Sequence, residues 1–210
     1  MKKAVAKPII AVDVDDVLVP TNEAIRVFVN ENFGTNFSIE DHNRPGEFRS
    51  YFESIWEVDD KEAELRYSSF IHSDALMRTE PLDGSIETIA YLKKNYDLVI
   101  ISARHEDQVE MTHQWLLKHF PAVFSDIRIV SGWHHGHKVT KAEVCLEIGA
   151  SYLIDDNVEH CTNAEHESIK SLLFGVYGWN KHDKDAEKLT KVKNWAEVKK
   201  FFDEERTRSV

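Results

Sequence analysis

The chain is poor in cysteine, in basic residues and in long apolar runs. Cys145 and Cys161 are the only cysteines in 210 residues and lie in unrelated segments, so no disulfide scaffold is implied and reduced thiols are expected. No stretch approaches the roughly 18 apolar residues of a membrane span. Behind the basic start MKKAVAKPII the apolar segment is broken by Pro8 and Asp13, which leaves no signal-peptide core. A cytoplasmic protein without a membrane partner is the expectation. Lys and Arg number 26 against 37 Asp and Glu, a net charge of −11. That deficit argues against a nucleic acid polymer as partner, because phosphate backbones are held by clustered basic side chains. A small anionic substrate needs only local positive charge or a metal. Neither an internal repeat nor a low-complexity tract is present.

The sequence does contain an unusual strand. In IIAVDVDDVLVP, Ile9 to Pro20, a β-branched apolar run ends in Asp13, Asp15 and Asp16. Burying like charges costs several kcal/mol each unless something positive arrives, so this strand end predicts a cation site. A helical pattern follows from Thr21 to Phe33, closed by Gly34. From Asn36 to Arg78 the apolar residues Phe48, Tyr51, Phe52, Ile55 and Trp56, then Ala63, Tyr67, Phe70 and Ile71, recur at helical spacing. Residues 21–79 therefore read as a helical cap inserted into a core made of residues 1–20 and 80–210.

After EPLDG, helical patterns alternate with the apolar strands DLVIIS, DIRIV, SYLIDD and KSLLFGV. That alternation predicts an α/β, three-layer, Rossmann-like parallel sheet covered on both faces. Ligands bind beyond the carboxyl ends of such strands, which gathers Asp13, Asp15, Ser102, Asp155 and Asp156 into one candidate site. The polar, lysine-rich segment from Trp179 to Lys193 reads as a surface connection, and NWAEVKKFF as a terminal amphipathic helix on Trp195, Val198 and Phe202.

Four ordered pieces, DVDDV, the serine of VIISAR, a lysine at or before KAEVCLEIG, and the acidic pair of YLIDDN, resemble the motifs of the haloacid dehalogenase superfamily of phosphohydrolases. The stretch EPLDGSIETIAYLKKNYDLVIISAR is similar to the 5′-nucleotidase and deoxyribonucleotidase branch, which also carries a helical cap between its first two motifs; SARH departs from the Ser/Thr-Arg-Pro ending expected there. The resemblance implies a phosphomonoesterase. Asp13 can attack phosphorus as a carboxylate and form an aspartyl-phosphate. Asp15, on the same side of an extended chain, can protonate the leaving alkoxide and then deprotonate water. A Mg²⁺ ion held by Asp13, Asp156 and the Asp15 carbonyl would offset the repulsion among the carboxylates. The family pattern ranks Asp156 above Asp155 as the direct ligand. Asp16 points the other way and has no assigned role.

Ser102 and a lysine would complete a clamp on the phosphoryl oxygens. Lys138 and Lys141 are both candidates; the capping-box pattern of Thr140 and Glu143 puts Lys141 at a helix start and favours it. Arg104 is read as holding substrate phosphate or anchoring its loop. The histidines of SGWHHGHK match no usual zinc spacing and read as a surface or substrate-side loop. The cap aromatics read first as a packing face, with Phe48, Phe52, Trp56 and Tyr67 also offering surface to stack a nucleobase. The leading substrate is a nucleoside 5′-monophosphate. Its rivals are a sugar or small-metabolite phosphate, or a catalytically idle metal- or nucleotide-binding module. A dehalogenase is disfavoured, because halide expulsion needs neither Asp15 as an acid nor a metal.

Overall fold

The computed structural model describes residues 6–45, 48–130, 133–134, 137–181 and 184–208. Six strands, β1 (Ile9–Val12), β2 (Asp97–Ser102), β3 (Asp126–Ile129), β6 (Ala150–Asp155), β7 (Lys170–Phe174) and β8 (Thr190–Val192), form one sheet in the order β3-β2-β1-β6-β7-β8. Every pairing in it is parallel. The short β4 (Trp133–His134) and β5 (His137–Lys138) pair antiparallel outside it.

Parallel strands need crossovers, and here helices supply them. Between β1 and β2 run α1 (Thr21–Phe33), α2 (Phe48–Trp56), α3 (Asp60–Ile71), α4 (Ala75–Arg78) and α5 (Ser85–Leu92). The later helices are α6 (Val109–His119), α7 (Lys141–Ile148), α8 (Val158–His166) and α9 (Trp195–Arg208). Alternate strand residues point to opposite faces. Ile10, Val12, Leu98, Ile100, Ile154 and Leu172 pack with Ile89 and Leu92 of α5 and Trp195, Val198 and Phe202 of α9. Their neighbours Ala11, Val99, Ile101 and Leu153 pack with Val144 and Cys145 of α7 and Ala164 of α8. The continuous apolar runs are thus explained by two covered faces.

The chain steps from β1 outward to β2 and β3, then returns to the other side of β1 as β6. This reversal opens a crevice at the carboxyl ends of β1 and β6, the ligand position in such sheets. The turn leaving β1 is pinned from below: Trp195 Nε1 donates to the Val17 carbonyl at 2.8 Å and the Leu82 N–H to the Leu18 carbonyl at 2.8 Å. Asp16, with φ of 54°, accepts the Asn22 N–H at 3.2 Å and so caps α1, whose own N-cap, Pro20, has no side-chain acceptor. At its other end α1 stops at Gly34, where a φ of 65° suits a residue without Cβ.

The structure bears out one reading of the sequence, the cap aromatics as a packing face, and corrects another. Phe52 and Trp56 are only 8% and 4% exposed. Phe52 stacks on Trp56 at 4.6 Å and on Tyr67 at 5.6 Å, so these rings pack on one another instead of presenting a platform for a base. The Phe48 side chain lies outside the described residues. The stretch from Trp179 to Lys193 is no mere surface connection: it carries β8, and Asn180 and Ala186 within it are buried. Its lysines mask this, because an edge strand of three residues has too little apolar periodicity to register. Among the described residues no helix is long and apolar enough to cross a membrane.

Candidate active site

At the start of α7, Thr140 Oγ1 accepts the Glu143 N–H at 3.2 Å while Glu143 Oε2 accepts the Thr140 N–H at 2.7 Å. This capping box fixes the first turn and sets Lys141 as its first residue. The Lys141 side chain runs inward, 2% exposed, and its Nζ lies 2.8 Å from Asp13 Oδ1 and 2.7 Å from Asp155 Oδ2. Burial alone would lower the ammonium pKa, but the two carboxylates outweigh it and hold the charge firmly in place. Lys138 lies on β5; its side chain and those of the histidines of SGWHHGHK lie outside what the structure describes.

Asp155 ends β6 and is saturated by the protein. Besides Lys141, it accepts the Asn157 N–H at 2.9 Å and sits 3.2 Å from His160 Nδ1, both at Oδ1. Burial opposes its ionisation, yet Lys141 and His160 prevail and keep its carboxyl well below the usual range. Asp156 differs. Trp179 Nε1 donates to its Oδ2 at 2.6 Å, and among the described residues no lysine or arginine pairs with it. Burial, then the charges of Asp155 and Asp13, push its carboxyl well above the usual range. Burial likewise pushes Asp13 up to about 6 against the pull of Lys141.

Asp15 faces Arg104, with guanidinium to carboxylate distances of 2.6, 2.9 and 3.1 Å. Thr21 Oγ1 donates to the same carboxylate. Burial would raise its pKa, but Arg104 and Thr21 outweigh it and hold Asp15 as an anion. Arg104, 5% exposed, spends its remaining reach on Thr112 Oγ1 at 2.9 Å. Its guanidinium contacts are thus with Asp15 and Thr112. Ser102, at the end of β2 and fully buried, takes the Arg104 N–H on its hydroxyl at 3.3 Å.

One oxygen each from Asp13, Asp155 and Asp156 lie within 4.8 Å of one another. Hard carboxylate oxygens at this spacing, with two of the three acids left in excess of the protein's own cations, suit a divalent ion such as Mg²⁺. Both Asp155 oxygens are engaged by protein donors, whereas Asp13 is contacted at Oδ1 by Lys141 and Asp156 at Oδ2 by Trp179.

The comparisons agree with this geometry. The family described as 5′ nucleotidase, deoxy (pyrimidine), cytosolic type C matches residues 7–208. The chain belongs to that family. It is therefore a phosphatase of the haloacid dehalogenase superfamily, on the nucleotidase branch. A Staphylococcus epidermidis protein provisionally named a 5′(3′)-deoxyribonucleotidase is 26% identical over 195 residues, 92% of this chain and 94% of that one. Among solved structures, a haloacid dehalogenase-like hydrolase from Streptococcus pneumoniae superposes with a TM-score of 0.67 at 14% identity, covering 93% of this chain and 98% of its own. A Bacillus subtilis hydrolase of that superfamily, bound to magnesium, reaches 0.62 at 13% identity, with 95% and 100% covered. At such identities these two likenesses speak for the fold.

Sequence reasoning missed the residues after β7. Tyr177, Trp179 and Asn180 reach Asp16 and Asp156, although the sequence pattern assigns Trp179 and Asn180 to a surface connection. The signal was present: KSLLFGV is followed at once by YGWN, and the strand-end rule that found Asp13 and Asp155 applies equally to β7.

Proposed function

We propose that this nucleotidase-family enzyme hydrolyses nucleoside 5′-monophosphates, the deoxy forms included, with Mg²⁺ and through an aspartyl-phosphate on Asp13. The observation that carries the reading is the buried ion triad Asp13–Lys141–Asp155 with the unpaired carboxylate of Asp156 beside it. In the first step an Asp13 oxygen forms a bond to phosphorus as the ester oxygen leaves with a proton from Asp15. In the second, water attacks phosphorus, gives its proton to Asp15, and the bond to Asp13 breaks. Lys141 Nζ donates to Asp155 and lies 2.8 Å from Asp13 Oδ1; with the Ser102 hydroxyl it would hold the phosphoryl oxygens. Asp13, Asp156 and the Asp15 carbonyl would hold Mg²⁺, which would supply charge neutralisation there.

The pair of Asp15 with Arg104 fits the second task, for which Asp15 must be a carboxylate. The first requires it to leave Arg104 and take up a proton. Residues 21–79 act as a cap over the core. From α3 the Tyr67 hydroxyl has its pKa pushed up to about 12 by burial and then by the Asp15 charge.

Because Phe52 and Trp56 are spent on packing, a second reading has a specific support: a sugar or small-metabolite phosphate, which needs no base platform. A panel of nucleotides, hexose phosphates and phosphorylated acids in Mg²⁺ buffer separates the two. The nucleotidase reading expects kcat/KM for nucleoside 5′-monophosphates at least about tenfold above hexose phosphates, the ratio that about 1.4 kcal/mol supplies. Preference for a sugar phosphate leaves the phosphatase and removes the nucleotidase specificity.

A further inference from the structure

The loop after β7, residues 175–180, ties three parts of the molecule together. Trp179 Nε1 donates to Asp156 Oδ2 at 2.6 Å, and Asn180 Nδ2 to the Asp156 carbonyl and the Phe174 carbonyl, each at 3.0 Å. The Tyr177 hydroxyl donates to the Asp16 carbonyl at 2.7 Å, in the turn that follows Asp13 and Asp15. Its ring lies flat on Trp179, with centroids 4.6 Å apart and planes 9° from parallel. The loop also meets the inserted segment. The Gly178 N–H donates to Asn43 Oδ1, a Cβ at Gly178 would overlap the Asn43 backbone, and the Tyr51 ring of α2 meets Trp179 edge-on at 6.0 Å. No other residue type fits at Gly178 while that contact is kept.

A carboxylate side chain has two rotatable bonds, and a donor fixed on one oxygen restricts its orientation; Asp156 presents an oxygen within 4.8 Å of those of Asp13 and Asp155. We infer that Trp179 is a positioning residue for Asp156, and that the seating of Asn43 on Gly178 sets Trp179, so that cation affinity depends on how the inserted helices dock. This rests on the Mg²⁺ site proposed above. It gives the inserted segment a task apart from substrate recognition: when Asn43 lifts from Gly178, Asp156 loses its orientation.

The test is a calorimetric titration of chelator-stripped protein with MgCl₂, without substrate, together with the indole N–H spectrum of ¹⁵N-tryptophan-labelled protein. The chain has five tryptophans, and the cross-peak missing from Trp179→Phe identifies Trp179. In the wild type that peak should move on Mg²⁺ addition with the calorimetric Kd. Trp179→Phe, which keeps the ring on Tyr177 but removes the donor, should weaken Mg²⁺ binding by about 10–100-fold. Gly178→Ala and the milder Asn43→Ala should shift the Trp179 peak before any metal is added and weaken binding in the same direction. Wild-type Kd in Trp179→Phe overturns the positioning role, whatever its melting temperature. Weakened binding in Trp179→Phe with wild-type Kd and peak position in Asn43→Ala overturns the coupling to the inserted segment. If the wild type binds no Mg²⁺, the metal-site reading falls, and the inference with it.

Discussion

The two acidic strand ends divide their labour in the same way but in opposite order. At β1 the first acid, Asp13, faces the open centre, and the later one, Asp15, is held by Arg104 and Thr21. At β6 the first, Asp155, is held by Lys141, Asn157 and His160, and the later one, Asp156, faces the centre. Each strand thus has one carboxylate engaged by the protein at both oxygens and one contacted at a single oxygen, Asp13 by Lys141 and Asp156 by Trp179. The spacing explains the order. Asp13 and Asp15 are two residues apart and could share a side in an extended chain, whereas Asp155 and Asp156 are adjacent and must diverge. The four crowded carboxylates are tolerated because Lys141 lies between Asp13 and Asp155 and Arg104 pairs with Asp15, which leaves Asp156 without a lysine or arginine in contact among the described residues.

Removing the nucleophile should produce the largest effect. Asp13→Asn leaves Lys141 on Asp155 and should fold, but an amide is a poor nucleophile, and phosphate release from an aryl phosphate should fall to background. Wild-type turnover in purified Asp13→Asn would end the aspartyl-phosphate mechanism. Next comes Asp15→Asn, expected to lose about 10²–10⁴-fold in rate. The loss should be smaller for an aryl phosphate, whose leaving group needs little protonation, than for an alkyl phosphate. Equal losses would remove the proton-transfer role.

The adjacent pair at β6 sharpens the comparison further, since its two members should fail differently. Asp155→Asn strips a buried ammonium of one of its two carboxylates and should cost about 3–5 kcal/mol of stability, read by denaturant unfolding of the metal-free protein. Asp156→Asn removes a charge that has no protein cation beside it. The metal-free protein should be no less stable for it, while Mg²⁺ binding is lost. If the two variants exchange these phenotypes, Asp155 is the ligand and the division of labour is wrong.

Much of this was legible because strand ends in a parallel sheet declare the site. The apolar runs set the sheet, and the acids and serine that close them could then be gathered without knowing any distance. The capping box at Thr140 puts Lys141 at a helix start because it is a local signal. What stayed hidden were contacts between distant segments. Nothing local says that Arg104 turns to Asp15, 89 residues away, and not outward to a ligand. Nor does helical spacing tell whether Phe52 and Trp56 face a ligand or each other, for both outcomes demand one apolar face. The loop after β7 was missed for a different reason: its polar and lysine-rich continuation suggested solvent.

The smallest expected effect concerns a buried group that has no charged partner in hydrogen-bond contact, unlike the acids at the strand ends. His42 is 1% exposed, in the inserted segment. Trp56 Nε1 donates to its Nε2 at 3.0 Å, and Nδ1 lies 3.3 Å from Asn22 Oδ1. An indole N–H can only donate, so Nε2 must be the acceptor and the ring is neutral with its proton on Nδ1. Burial, then the charge of Arg26, lowers its pKa to about 4, against the opposing pull of Glu23 and Asp41. The ordinary value is 6.5. Between pH 6.5 and 4 the unfolded chain therefore binds a proton that the folded one refuses, and stability present above 6.5 is lost as pH falls through that window. The slope from this one group is at most about 1.4 kcal/mol per pH unit. Protonation would also turn Nε2 into a donor facing the Trp56 donor, so the inserted helices should loosen first. Denaturant unfolding of wild type and His42→Gln at several pH values tests this: the variant should be less stable at pH 7 but flatter between 6.5 and 4. Parallel pH dependences for the two proteins would mean that His42 already carries its proton in the fold, and that Trp56 is held by something else.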